Sequence, residues 1–142
     1  MIPLLDHNKL LADQWPQIRR GFLEALKYAN GDDDLARIMR EVLSGGLVIW
    51  AVNEELDGFI TTRIQKINTC PAQLHLIVDH AWCSPDVQPL TFTKTTHEFL
   101  ERYAAQIGCS KIKTYTLRRM SSWMAEFGFD KSYTEYTKEV KA

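Results

Sequence analysis

Gln88–Gly108, QPLTFTKTTHEFLERYAAQIG, is the stretch whose reading decides the fold. It reads as a loop feeding one long amphipathic helix. Phe92, Thr96, Phe99, Leu100, Tyr103, Ala104 and Ile107 recur at helical spacing, while Lys94, Glu98, Glu101 and Arg102 fall largely elsewhere. Gly108 stands where a left-handed C-terminal cap is wanted. Hydroxyls crowd the beginning: Thr91, Thr93, Thr95 and Thr96. A helix that opens just after a strand leaves several N–H groups without intrahelical partners, and its dipole favours an anion there. Two uses of these threonines stay open at this level: capping the helix, or contacting a phosphate-bearing ligand.

Upstream of this stretch the period of the apolar residues is two. Gln73 to Trp82 reads as a strand ended by Ser84-Pro85-Asp86. Strict alternation puts Leu74, Leu76, Val78, His80 and Trp82 on one face and His75, Ile77, Asp79 and Ala81 on the other. Residues 58–64 form an earlier strand, joined by the turn-rich Asn53 to Gly58 to LVIWAV (47–52), which is apolar on both faces as a central strand is. Before them, Asp13 to Ala29 is expected to be helical through Trp15, Ile18, Phe22, Leu26 and Ala29, with Pro16 acceptable in the first turn only. A second helix follows the aspartates 32–34, which suit a helix start, and presents Leu35, Ile38, Met39, Val42 and Leu43 before Gly45-Gly46 breaks it. Residues 2–5 suggest a short first strand. Beyond Gly108 come a strand at Lys111–Thr116, a short helix at Arg119–Phe127 and a closing strand at Phe129–Val140. The order is β-α-α-β-β-β-α-β-α-β, an α/β chain of the α+β kind, with helices on a mixed sheet.

The chain has 142 residues, enough for one domain spanning 1–142 with a single sizeable core. A net charge of −1 predicts no broad grip on nucleic acid. Cys70, Cys83 and Cys109 form an odd, scattered set without a CxxC pair, which points to reduced thiols in a cytoplasmic setting. The opening MIPLL is too short for a secretion signal, and no apolar run approaches the roughly 20 residues of a membrane span. The spacing of His75, Asp79 and His97 matches no metal-ligand motif, so no metal is expected.

The element order resembles the GNAT N-acetyltransferase superfamily over nearly the whole chain. Gln88-Pro89-Leu90-Thr91-Phe92-Thr93 falls on that family's phosphate-loop frame, Q/R-x-x-G-x-G/A, and the helix ending at Ile107-Gly108-Cys109 has the family's length. Arg118 to Phe129 looks like its final helix with the closing Gly128-Phe129. Three positions depart from the pattern. Thr91 and Thr93 replace the two glycines that let backbone amides approach a pyrophosphate. Met124 stands where many members place a proton-donating tyrosine, and Arg118 where an asparagine is frequent. A second resemblance is to small GNAT-like proteins of bacteriophages, some associated with the virion or head assembly. It rests on Gly45-Gly46-Leu47-Val48-Ile49-Trp50 and on Arg119-x-x-x-Trp123.

The resemblance implies an acyl-CoA N-acyltransferase fold and an acetyl-CoA-dependent transfer to a primary amine. Backbone groups at Ala81, Trp82 and Cys83 are expected to position the acetyl carbonyl. Gln88, Thr91, Phe92, Thr93 and Arg118 are expected to bind the cofactor. A base on the preceding strand would deprotonate the amine, His80 being preferred and Asp79 the alternative, since alternation lets only one of them face the substrate. Lys111, Lys113, Arg118, Arg119 and Lys131 are candidates for the 3′-phosphate of coenzyme A or for an acidic partner. The other reading is a non-catalytic GNAT-fold protein, in the host cytoplasm or a virion, that binds a protein partner.

Overall fold

The structure, a computed structural model, describes residues 1–3, 12–26 and 34–114. Their elements are β1 (Ile2–Pro3), α1 (Trp15–Ala25), α2 (Leu35–Ser44), β2 (Val48–Ala51), β3 (Gly58–Ile67), β4 (Gln73–Cys83), α3 (Pro89–Ile107) and β5 (Lys111–Thr114). These eight described elements follow the expected succession. The helix read at 119–127, the strand read at 129–140 and Arg118 lie outside the described residues.

The helices form where local chemistry asks for them. Pro16 sits in the first turn of α1, where its missing N–H costs nothing. Asp34 caps α2 by accepting a 2.8 Å hydrogen bond from the Arg37 N–H. Ile38 and Val42, one turn apart, carry the buried face of α2. Leu43, expected on that face, is 72% exposed instead. It follows Val42 directly, and one residue of α-helix is a rotation of about 100°. Gly108 closes α3 with φ +78, as its position promised.

The strands form one sheet in the order β1-β2-β3-β4-β5, with β4 and β5 parallel and the other pairs antiparallel. Each face has its own core. On one side Ile18 and Phe22 of α1 and Ile38 and Val42 of α2 pack on Ile49, Ala51, Phe59 and Trp82. On the other, Phe92, Leu100 and Ala104 of α3 pack on Ile60, Leu76 and Val78. Phe22 and Phe59 have no exposed surface and lie 4.6 Å apart between centroids. Burial of such a side chain is worth about 1.5–3 kcal/mol.

The pairing of β3 with β4 corrects the strict alternation read from the sequence. Thr61 pairs with His80, but the next residue, Thr62, pairs with Val78. Asp79 is therefore an extra residue on β4, a β-bulge, and every side chain beyond it changes face. Leu76 and Val78 face α3, whereas His80 and Trp82 face α1: the His80 ring meets Phe22 edge-on at 5.6 Å and Trp82 joins the α1 core. Strand β4 also runs one residue further than expected, to Cys83.

At the other end of β4, His75 is 4% exposed, and its Nδ1 has no hydrogen-bond partner. Burial lowers its pKa below the ordinary 6.5, and the charges of Lys113 and Lys111 lower it further.

Phe92 sets where α3 begins relative to the sheet. Its ring fills the space above Gly58, where a Cβ would stand 2.6 Å from Phe92 Cε2 and 2.8 Å from the Trp82 carbonyl oxygen. Gly58→Ala therefore pushes α3 and β4 apart. A loss of about 1–3 kcal/mol is expected for such overpacking, read as a lower urea midpoint with an unchanged m-value.

Candidate functional site

Two features meet where β4 ends and α3 begins. The first is the edge of β4 beyond the bulge. Ser84 N–H donates to the Asp57 carbonyl at 2.8 Å, and His80 N–H to Thr61 Oγ1 at 3.1 Å, so both point toward β3. N–H groups alternate in direction along a strand. Those of Ala81 and Cys83 therefore point to the opposite edge, while that of Trp82 points to β3. The described pairing of β4 with β5 ends at Val78–Thr114, short of Ala81.

The second feature is the start of α3. The helix begins at Pro89, so most of the frame read as a loop is already helical. Phe92 and Thr93 stand one turn inside, and the Phe92 N–H is taken by the Gln88 carbonyl at 3.1 Å. Phe92 is buried against the sheet, which makes its packing role plain. Gln88 is the N-cap residue, and its side chain caps no backbone N–H. It accepts instead from Thr91 Oγ1 at 3.2 Å. Leu90 and Thr91 lie in the first turn, where backbone N–H groups have no intrahelical partner. Gln88 and Thr91 are both exposed. This places two amides at the positive end of a 19-residue helix, where an anion is favoured. Of the two threonines of the frame, Thr91 turns toward Gln88 and Thr93 follows two residues further along the helix.

The candidate bases are both held by partners the sequence did not reveal. Because of the bulge, Asp79 and His80 do not take opposite faces: Arg63 reaches Asp79 and Thr61 reaches His80, and Arg63 and Thr61 are two apart on β3. Arg63 Nε donates to Asp79 Oδ2 at 2.6 Å and Nη2 to Oδ1 at 3.3 Å. Both oxygens of the carboxylate are thus engaged by one guanidinium. His80 is 4% exposed, with Nδ1 2.8 Å from Thr61 Oγ1. That oxygen also accepts the His80 N–H, so one hydroxyl holds both the backbone and the ring of His80 in place.

Trp82 is 7% exposed, and its indole Nε1–H donates to Glu24 Oε2 at 2.6 Å, joining α1 to β4 across 58 residues of sequence. Cys83 is half-buried against the α3 core. Among the described residues, no three His, Cys, Asp or Glu side chains gather to hold a metal ion. Nor is any described helix long and apolar enough to cross a membrane.

No protein-family profile matches the sequence, and no curated protein does. Solved structures do match. An aminoglycoside acetyltransferase from an uncultured soil metagenomic sample, in complex with sisomicin, aligns at TM-score 0.62 and 10% identity, covering 94% of this chain and 91% of its own. Glucosamine-6-phosphate N-acetyltransferase from Arabidopsis thaliana aligns at TM-score 0.57 and 17% identity, covering 87% and 91%. An aminoglycoside N-acetyltransferase in complex with CoA aligns at TM-score 0.51 and 13% identity, covering 75% and 90%. The fold is that of the GNAT acetyltransferases.

Thr61→Val keeps the shape and removes both hydrogen bonds to His80. It is expected to lower stability by about 1–3 kcal/mol, the cost of unpaired buried polar groups, as measured by urea unfolding.

Proposed function

We propose that the chain transfers an acetyl group from acetyl-CoA to a primary amine. The observation that carries this reading is the conjunction at the end of β4. A bulge turns the Ala81 N–H to an edge that no described residue of β5 reaches, and the open start of α3 follows eight residues later. The similar structures support it at the level of fold, one of them holding CoA and another an aminoglycoside.

Acetyl-CoA, when bound, would supply a thioester: the C–S bond breaks as the amine nitrogen bonds to the carbonyl carbon, and coenzyme A leaves as the thiolate while the amine's proton passes to solvent. Leu90 and Thr91 N–H hold a phosphoryl group of the diphosphate, and the exposed Gln88, with the Thr91 hydroxyl bonded to it, borders it. Ala81 N–H is the donor directed at the carbonyl, where negative charge develops. Trp82 has a different part, since its amide serves β3 and its indole serves Glu24. Thr93 and Phe92 support the helix start from within, and Arg118 remains a cofactor contact expected from the family frame. Asp79 and His80 shape the strand beside the carbonyl. Asp79 becomes a base only after giving up Arg63, and His80 is tied through Nδ1 to Thr61. Transfer accordingly depends on the neutral fraction of the acceptor amine and rises with pH toward the acceptor's own pKa.

The engagement of both bases also favours a second reading: a non-catalytic protein of the same fold, in a virion or elsewhere, that binds a protein partner. Titration with coenzyme A separates the two. Binding is expected to raise the melting temperature with saturation, and Thr91→Trp, which fills the helix opening, is expected to abolish the rise. An unchanged melting temperature at millimolar coenzyme A contradicts acetyl transfer and leaves the second reading standing.

A further inference from the structure

On the α1 face of β4 a hollow of about 340 Å³ opens between the helix and the residues that follow the strand. Gln17, Arg20 and Glu24 line it from α1, and Trp82 and Asp86 from the other side. The three α1 residues are spaced i, i+3 and i+7, which puts them along one stripe of the helix. That stripe is held close to the strand because Gly21 lies directly over the rings. A Cβ there would stand 2.5 Å from Phe59 and 2.8 Å from Trp82. The close approach lets Glu24 reach the Trp82 indole, which fixes one carboxylate oxygen, Oε2, and leaves Oε1 to the hollow.

The charges around the hollow are of both signs, and they do not cancel one another. Arg20 makes no ion pair with a described residue. The backbone N–H of Asp86 is turned to Ser84 Oγ at 3.3 Å, and its carboxylate has no partner among the described residues. A neighbouring hollow of about 420 Å³ continues past Gln17 and Arg20 to Gln14, whose side-chain oxygen is buried without a hydrogen-bond partner. A buried acceptor left unsatisfied asks for a donor from outside.

We propose that this hollow is the acceptor subsite, and that the acceptor is a small polar amine which also carries an anionic group, carboxylate or phosphate. The acceptor nitrogen lies against Glu24 and Asp86, held there as the ammonium and reacting only in the fraction that has lost its proton to solvent. The anionic group lies against the Arg20 guanidinium, which offers paired donors to either oxyanion. Trp82 forms the floor and, through its indole, orients Glu24. The inference rests on the acetyl-transfer reading for the meaning of acceptor, but the binding it describes does not require acetyl-CoA.

The test is calorimetric titration of the whole chain, without acetyl-CoA, against two matched pairs: lysine with cadaverine, and O-phosphoethanolamine with ethanolamine. The anionic member of at least one pair is expected to bind about tenfold more tightly than its neutral-tailed counterpart. The pair showing the gap tells carboxylate from phosphate. Arg20→Gln is expected to erase that gap, while Glu24→Gln weakens both members of the pair. Arg20 is exposed, so its replacement leaves the core intact. Equal affinities within both pairs, an Arg20→Gln variant that keeps the gap, or no binding of any probe at millimolar concentration each overturns the proposal. Failure of the transfer reading shows separately, as absent coenzyme A binding, and a positive coenzyme A titration beside equal affinities condemns the subsite alone.

Discussion

One extra residue in β4 governs how the two halves of the candidate site are aimed. Two residues of β4, Asp79 and His80, stand where β3 advances by one, between Thr61 and Thr62. Before that point the strand buries Leu76 and Val78 under α3; after it, the strand buries His80 and Trp82 under α1. A regular strand would send Trp82 toward α3, away from Glu24. It would also leave the α1 face without the ring that packs 5.6 Å from Phe59. The bulge is thus a packing decision as much as a feature of the edge.

The bulge is held from both sides of its step. Arg63 grips the Asp79 carboxylate with two nitrogens, and the single hydroxyl of Thr61 serves both the backbone and the ring of His80. An inserted residue breaks the ladder locally, and these side chains replace the bonds the ladder loses. The same contacts engage the Asp79 carboxylate and the Nδ1 of His80. Near the end of β4 stand backbone donors, a helix start and the carboxylate of Glu24. In the proposed transfer such groups position and polarise, and the amine reacts in its neutral fraction.

Much of this was legible in the sequence, and the rest was hidden for identifiable reasons. The apolar spacing of α3, its Gly108 cap, the Asp34 cap of α2 and the hairpin of β2 and β3 follow from local periodicity and turn chemistry, and the structure bears them out. Leu43 failed because a run of apolar residues overruns the stripe that a helix can bury. The bulge escaped because Gln73–Trp82 alternates well enough to pass for a regular strand, and pairing partners are invisible in a single strand. Arg63, Thr61 and Glu24 escaped for the same reason, their partners lying 16, 19 and 58 residues away in sequence. The phosphate-loop frame was read at Gln88–Thr93 from the family resemblance. That Pro89 already opens the helix, so that Leu90 and Thr91 lie in its first turn, required the backbone.

The central claim is that the Ala81 amide faces an edge that no described residue of β5 pairs, and takes a ligand there, while its neighbour Trp82 is bonded into the sheet. Amide hydrogen exchange followed residue by residue, with and without acetyl-CoA, measures this most directly. Ala81 is expected to exchange much faster than Trp82 in the free chain and to slow on addition of the ligand. Equal protection of the two amides, unchanged by acetyl-CoA, would contradict the account.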